Sequence, residues 1–153
     1  VNIDDIYAVV GYKKKMIINL FPQLSYFYNK NFETTNTAKS LLISLKELGD
    51  DDILWLNGDI VFDHRIINKI IEFPGSCMAV NKSKVGDEEV KYRTNNQEFV
   101  TEISKEVDDP EGESLGIHKI INKDIFMFRK YLSDCDKNDY FEKVDSVKMW
   151  FRF

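Results

Sequence analysis

Asn57-Gly58-Asp59 is the stretch of this chain whose residue types and position could do chemistry. It follows Ile53-Leu54-Trp55-Leu56, an apolar run too short for a helix and bounded by polar residues, which predicts a strand buried on both faces of the kind found in parallel sheets. A carboxylate just past the carboxyl end of a central strand lies where open α/β sheets place their ligands. Mg²⁺ takes one or two carboxylates and fills its remaining positions with water and substrate phosphate oxygens, so a lone Asp59 suits it. Gly58 permits a sharp turn or a close approach of backbone to ligand. The same three residues also read as a plain turn, with Asp63 capping the next helix.

Other candidates are few. Lys105 follows a predicted strand and reads either as a point charge for a substrate phosphate or as a solvated surface lysine. His118 lies in an alternating segment and reads as structural. Lys13-Lys14-Lys15 reads as the wet first turn of a helix, because an acidic protein offers no wider basic face. Neither a P-loop nor G-x-G-x-x-G occurs, and nothing resembles a Ser-His-Asp arrangement. Two histidines and two widely separated cysteines are too few and too scattered for a zinc site.

A chain of 153 residues, 43% hydrophobic and 31% charged, has the composition of one folded domain with one sizeable core. The net charge of −5 disfavours nucleic acid as a partner, while leaving room for a local pocket that takes one small phosphate. No run approaches the length of a membrane span, and no signal peptide opens the chain, so no membrane partner is expected. Cys77, expected buried in a strand, and Cys135, near a helix end, are read as reduced thiols of a cytoplasmic protein. The chain begins with Val1 and enters a strand within a few residues, which reads as a piece of a longer polypeptide, a single domain over 1–153 incomplete at both ends.

The elements that must position Asp59 alternate. Ile6 to Val10 predicts a strand, Gly11-Tyr12 a turn, and the segment from Lys13 to Phe21 a helix stopped by Pro22. A short strand at Leu24–Tyr28 precedes several candidate N-caps, Thr34 to Thr37, for a helix from about Ala38 to Leu48 that Gly49 ends as a C′ glycine. The central strand is followed by a helix from His64 to Glu72 and a fourth strand at Cys77–Val80. Three strand–helix alternations predict βαβ units with a parallel sheet. Glu89–Arg93 and Phe99–Ile103, joined through Asn95-Asn96, predict an antiparallel hairpin. Leu115–Ile121 predicts another strand, Asp124 caps a helix through about Leu132, and a last helix runs from Asp139 or Tyr140 toward Met149.

The order of these features resembles the sugar-phosphate nucleotidylyltransferases, and within them the phosphocholine cytidylyltransferase branch. The matching pieces are the strand ending in Gly11-Tyr12-Lys13, Asn29-x-x-Phe32-x-x-x-Asn36-x-x-x-Ser40-Leu41, Leu54-x-x-Asn57-Gly58-Asp59-Ile60-x-Phe62, Ile103-x-Lys105, Glu113-Ser114-Leu115-Gly116-Ile117 and Tyr140-Phe141-Glu142. The resemblance implies a Rossmann-like (GT-A-like) α/β fold, a mixed and mainly parallel sheet flanked by helices, with the antiparallel hairpin in its second half. It implies that Asp59 binds Mg²⁺, that Asn36 and Ser40 line the nucleotide pocket beside Asn57 and Gly58, that Lys105 meets the acceptor phosphate, and that Glu113 and Gly116 border the acceptor site. The implied partners are a nucleoside triphosphate, CTP favoured, and a phosphorylated small acceptor such as phosphocholine or a sugar phosphate, with pyrophosphate released. A homodimer is left open.

The resemblance also implies a Gly-rich signature with an arginine and a lysine ahead of Val1, and a second metal-binding carboxylate after a late strand, a role not given to Asp145. Catalysis is therefore expected once the N-terminal segment completes the domain. A different class, a non-catalytic α/β binding or assembly module, follows if that loop does not exist. A metal-dependent glycosyltransferase would need an Asp-x-Asp pair, and Asp59-Ile60-Val61 lacks the second acid.

Overall fold

The computed structural model describes Ile3 and residues 5–138, so the expected last helix, the Tyr140-Phe141-Glu142 motif and Asp145 lie outside the described residues. The described chain forms two compact units, one of residues up to Gly49 together with those from Met127 onward, the other Asp50–Phe126. Its class is α/β, with sheets flanked by helices in the Rossmann-like manner.

In the first unit, β1 (Tyr7–Val10) and β2 (Ser25–Tyr28) pair in parallel through the crossover helix α1 (Lys14–Leu20), as the strand–turn–helix reading expects. α1 ends at the residue before Pro22, with Phe21 as its C-cap. Helix α2 (Thr37–Glu47) packs on this sheet and buries Ala38, Leu41, Leu42 and Leu45, the helical stripe visible in the sequence. Its end differs from expectation. The C-cap Leu48 is extended and Gly49 has no left-handed backbone, so the stop is not a glycine motif. Instead Arg129 donates to the carbonyls of Leu48 and Gly49 at 3.2 Å each, satisfying carbonyls that α2 leaves open. Arg129 belongs to α4 (Asn122–Lys137), whose apolar Ile125, Phe128, Leu132 and Cys135 continue at helical spacing and carry the helix past the expected end at Leu132. Asp136 of the same helix ion-pairs with Lys39.

In the second unit, β3 (Ile53–Leu56) leads through α3 (His64–Glu72) into β4 (Cys77–Asn81). β3 and β4 run in the same direction, as a βαβ unit requires, but they are not neighbours. β7 (Gly112–Ile120) lies between them, antiparallel to both, and also pairs with β5 (Lys91–Thr94), which forms the predicted hairpin with β6 (Val100–Ser104). The parallel contact among the described strands is thus β1 with β2, and the balance of the second unit is antiparallel. β3 is terminal in its strand order, and its residues are half-buried with Leu56 exposed. The expectation of burial on both faces is corrected accordingly.

β7 is longer than the sequence suggests because Gly112 admits a close neighbour. A Cβ there would stand 2.1 Å from the Asn81 carbonyl oxygen, so β4 and β7 can meet at this end only through glycine. The ends of α3 and α4 are fastened from other elements. Asp63 caps α3 through the Arg65 amide at 2.9 Å. The buried Lys119 ammonium donates to the Ile71 and Phe73 carbonyls at the other end of α3, where the helix dipole favours a cation. At the start of α4, Asp52 accepts from the Asn122 amide at 2.8 Å and Ser76 donates to Asp124 at 2.5 Å. Cys77 is half-buried and Cys135 buried; both are free thiols that burial holds protonated.

Candidate active site

The chain leaves β3 at Asn57, and one further ladder bond carries the pairing beyond the strand: the Asn57 amide donates to the Gly116 carbonyl at 2.9 Å. Asp59, two residues on, is exposed and makes no hydrogen bond or ion pair with a described residue. A carboxylate held at a strand exit with no hydrogen bond or ion pair to a described residue is available to a cation. Among the described residues, no three His, Cys, Asp or Glu side chains converge as a ready-made cage. A single exposed carboxylate of this kind fits Mg²⁺ that fills its other positions with substrate phosphate oxygens and water.

Gly58 is needed neither for its dihedrals nor for space. Its φ is not left-handed, and a Cβ built on it meets nothing within 4 Å. Gly58→Ala is accordingly expected to leave the melting temperature unchanged or raise it slightly, by about 0.4–1 kcal/mol of stability, while weakening nucleotide binding. Paired thermal melts and calorimetric titrations check this; undiminished binding would leave Gly58 without a ligand to explain it.

Gly116 is a different case. Its φ of +71° lies in the left-handed region, and a Cβ would stand 2.7 Å from Asn57 Nδ2. It sits in a bulge of β7: between Met78 and Val80, two steps along β4, the paired residue on β7 moves four, from His118 to Ser114. The structure thus brings Asn57, which leads into Gly58 and Asp59, against Gly116 from a distant stretch of sequence.

Glu113 and Lys105 lie on the same sheet, separated by β5. Asn81, Glu113, Lys91 and Ser104 are successive cross-strand partners over β4, β7, β5 and β6, so their side chains share one face. Asn81 Nδ2 donates to Glu113 Oε1 at 2.9 Å, and Lys91 Nζ donates to the Lys105 carbonyl at 2.9 Å. Lys105 reaches exposed Glu88 at 3.3 Å, an ion pair in water that is weak enough to yield to a phosphate. The sequence does not single out Asn81 or Lys91. Their role follows from strand register, which no local pattern specifies. The concavity at the hairpin tip, lined by Asn95, Asn96 and Gln97, contains none of these groups.

Asn36 and Ser40 belong to the first unit. Asn36 caps α2, its Oδ1 accepting from the Lys39 amide at 3.3 Å, as the cap reading expects. Ser40 Oγ accepts from Nδ2 of Asn29 at 3.1 Å. Asn29 is almost fully buried and also donates to Thr35 at 3.1 Å, so it joins β2 to the start of α2. His118 takes the structural role expected of it: it is 7% exposed and stacked on Trp55 with ring centroids 4.3 Å apart.

The fold so described is shared with solved structures of nucleotidylyltransferases. It superposes on the inositol-1-phosphate CTP transferase of T. maritima with a TM-score of 0.61 and 16% identity, over 93% of this chain and 64% of that one. CTP:phosphocholine cytidylyltransferase from Streptococcus pneumoniae gives 0.58 and 15% over 90% and 59%. A putative glucose-1-phosphate thymidylyltransferase from Bacillus anthracis gives 0.57 and 18% over 81% and 55%. In sequence, the chain is 24% identical to the bifunctional protein GlmU of Methanococcus aeolicus over 151 residues, 95% of this chain and 36% of that protein. It is 36% identical to GlmU of Methanococcus maripaludis over 90 residues, 57% of this chain and 20% of that protein. The chain thus spans about a third or less of the length of these curated relatives. No family model matches it. Among the described residues, no helix is long and apolar enough to cross a membrane.

Proposed function

We propose that this chain is part of a Mg²⁺-dependent nucleotidylyltransferase that moves a nucleoside monophosphate from a nucleoside triphosphate, CTP favoured, to a phosphorylated small acceptor. The observation that carries this reading is Asp59: an exposed carboxylate with no hydrogen bond or ion pair to a described residue, at the exit of β3, beside a glycine with open space around it. A phosphate oxygen of the acceptor attacks the α-phosphorus in line, the bond to the bridging oxygen breaks, and pyrophosphate leaves with that electron pair. Such transfers need positioning and charge neutralisation more than covalent catalysis. Mg²⁺, when bound, would neutralise the phosphate oxygens that crowd the reacting phosphorus.

The chain's own groups take simple roles in this reading. Asp59 holds the cation, and the open backbone at Gly58 lets phosphates approach. Lys105 exchanges Glu88 for the acceptor phosphate. Glu113, held by Asn81, and Gly116 border the acceptor, for which phosphocholine and sugar phosphates are the leading chemistries. Asn36 and Ser40 are the nucleotide contacts assigned to the first unit. A cytoplasmic location, where free thiols such as Cys77 and Cys135 stay reduced, accompanies this reading.

Calorimetric titration of the chain with CTP, UTP, ATP and GTP, each with and without Mg²⁺, tests it. Metal-dependent heat is expected, greatest with CTP. The complete protein should release pyrophosphate from CTP when given phosphocholine or glucose 1-phosphate. Titrations without metal-dependent heat for any nucleotide, joined to a complete protein that releases no pyrophosphate, would overturn the proposal.

A further inference from the structure

We propose that Gly116 and Asn57 form a seat that positions Asp59, so that a backbone feature of β7 sets the metal affinity of a carboxylate on the β3 exit. The inference rests on the reading of Asp59 as the group that holds the nucleotide's metal. Leu56 pairs with Ile117, so the next cross-strand pair is Asn57 with Gly116, and directly opposed side chains share a face. Where the Gly116 side chain would stand, the Asn57 amide sits: a built Cβ would lie 2.7 Å from its Nδ2, 2.9 Å from its Cγ and 3.1 Å from its Cβ. The left-handed φ of Gly116 belongs to the β7 bulge, which swings the strand at this point.

The main chain closes the seat through the 2.9 Å bond from the Asn57 amide to the Gly116 carbonyl. The amide group's oxygen does not help: Asn57 Oδ1 is buried and accepts no hydrogen bond from a described residue. The fit against Gly116 therefore holds this side chain more than its polar contacts do. Asn57 in turn fixes the direction in which the chain leaves β3, and Asp59 follows two residues later over an unhindered glycine. With no hydrogen bond or ion pair to a described residue to orient it, Asp59 takes its position from this seat.

The test measures Mn²⁺ uptake in the presence of CTP, by the loss of the free Mn²⁺ electron paramagnetic resonance signal, in the complete protein and its variants. Gly116→Ala inserts a methyl group into the seat; Asn57→Ala empties it without adding an atom or altering any φ. Each is expected to weaken Mn²⁺ binding about tenfold or more, the scale of losing a group that orients a metal ligand. Because both act through one contact, the double variant should be little worse than either single variant. A merely structural role would lower the melting temperature and leave the metal affinity of the folded protein unchanged, and that result overturns the seat. So does strict additivity of the two effects. Should Gly116→Ala fail to fold, Asn57→Ala decides alone. A parent protein that takes up no Mn²⁺ with CTP present would instead bring down the reading of Asp59, and the seat with it.

Discussion

Asp59→Asn is expected to lower pyrophosphate release by the complete protein about a hundredfold or more while leaving its stability within about 0.5 kcal/mol of the parent. The two halves of this expectation have separate grounds. The side chain is exposed and makes no hydrogen bond or ion pair with a described residue, so the fold has nothing to lose by the substitution. Asparagine keeps the shape and removes the charge, and a neutral amide oxygen is a much weaker ligand for a hard cation. A coupled pyrophosphate assay and a thermal melt on the same preparation decide the matter. Turnover retained at the parental rate would remove Asp59 from the mechanism. A large fall in melting temperature would show that the carboxylate has structural work that its surroundings do not reveal.

The second large effect is on stability and its pH dependence, and its source is His118. Burial lowers the pKa of this imidazole to about 4, against an ordinary value of 6.5, because a charged ring would lose its hydration beneath the sheet. The native state therefore keeps His118 neutral through a range in which the unfolded chain takes up a proton. Stability from this group is fully present above pH 6.5 and is lost as the pH falls from there toward 4. The loss is about 2 kcal/mol between pH 7 and pH 5, and about 3 kcal/mol by pH 4. The Glu111 carboxyl is held low mainly by hydrogen bonds from the Thr94 amide and hydroxyl, and its contribution is lost only as the pH falls from the ordinary carboxylate range downward, so the window above pH 5 belongs to His118. Urea unfolding at pH 7 and pH 5 measures the difference. His118→Phe preserves a stacked ring against Trp55 and removes the proton site, so its stability should be nearly flat over the same interval. An equally steep decline in that variant would assign the titration to another group.

The candidate site was legible in pieces. Asn57, Gly58 and Asp59 stand out because a short apolar run ending in a carboxylate is a local pattern, and so does the cap at Asn36. Gly116 belongs to a motif in the sequence, but its left-handed φ and its fit against the Asn57 amide have no local signal, because the two residues lie in distant stretches of chain and meet through β3–β7 pairing. Asn81 and Lys91 carry no local signal for the same reason. Asparagine at a strand end and lysine in an amphipathic hairpin are ordinary residues there. Only register sets them beside Glu113 and Lys105.

Local chemistry determined the elements. The β-branched and apolar runs, the stripe of Leu41, Leu42 and Leu45, the caps at Asn36 and Asp63 and the hairpin around Asn95 each depend on residues within about a dozen positions, where steric preference, capping and periodicity act. The strand order was decided at a larger scale. Ile53-Leu54-Trp55-Leu56 reads as a strand buried on both faces of a parallel sheet, yet β3 is half-buried and terminal in its strand order, because β7 arrives from more than fifty residues downstream and pairs with it antiparallel. β7 can lie between β3 and β4 because Gly112 lets it approach Asn81, and it bends at Gly116 to seat Asn57. Hydrophobic patterning specifies which faces must be covered, whereas the covering strand, and with it the setting of Asp59, follows from long-range packing of the folded chain.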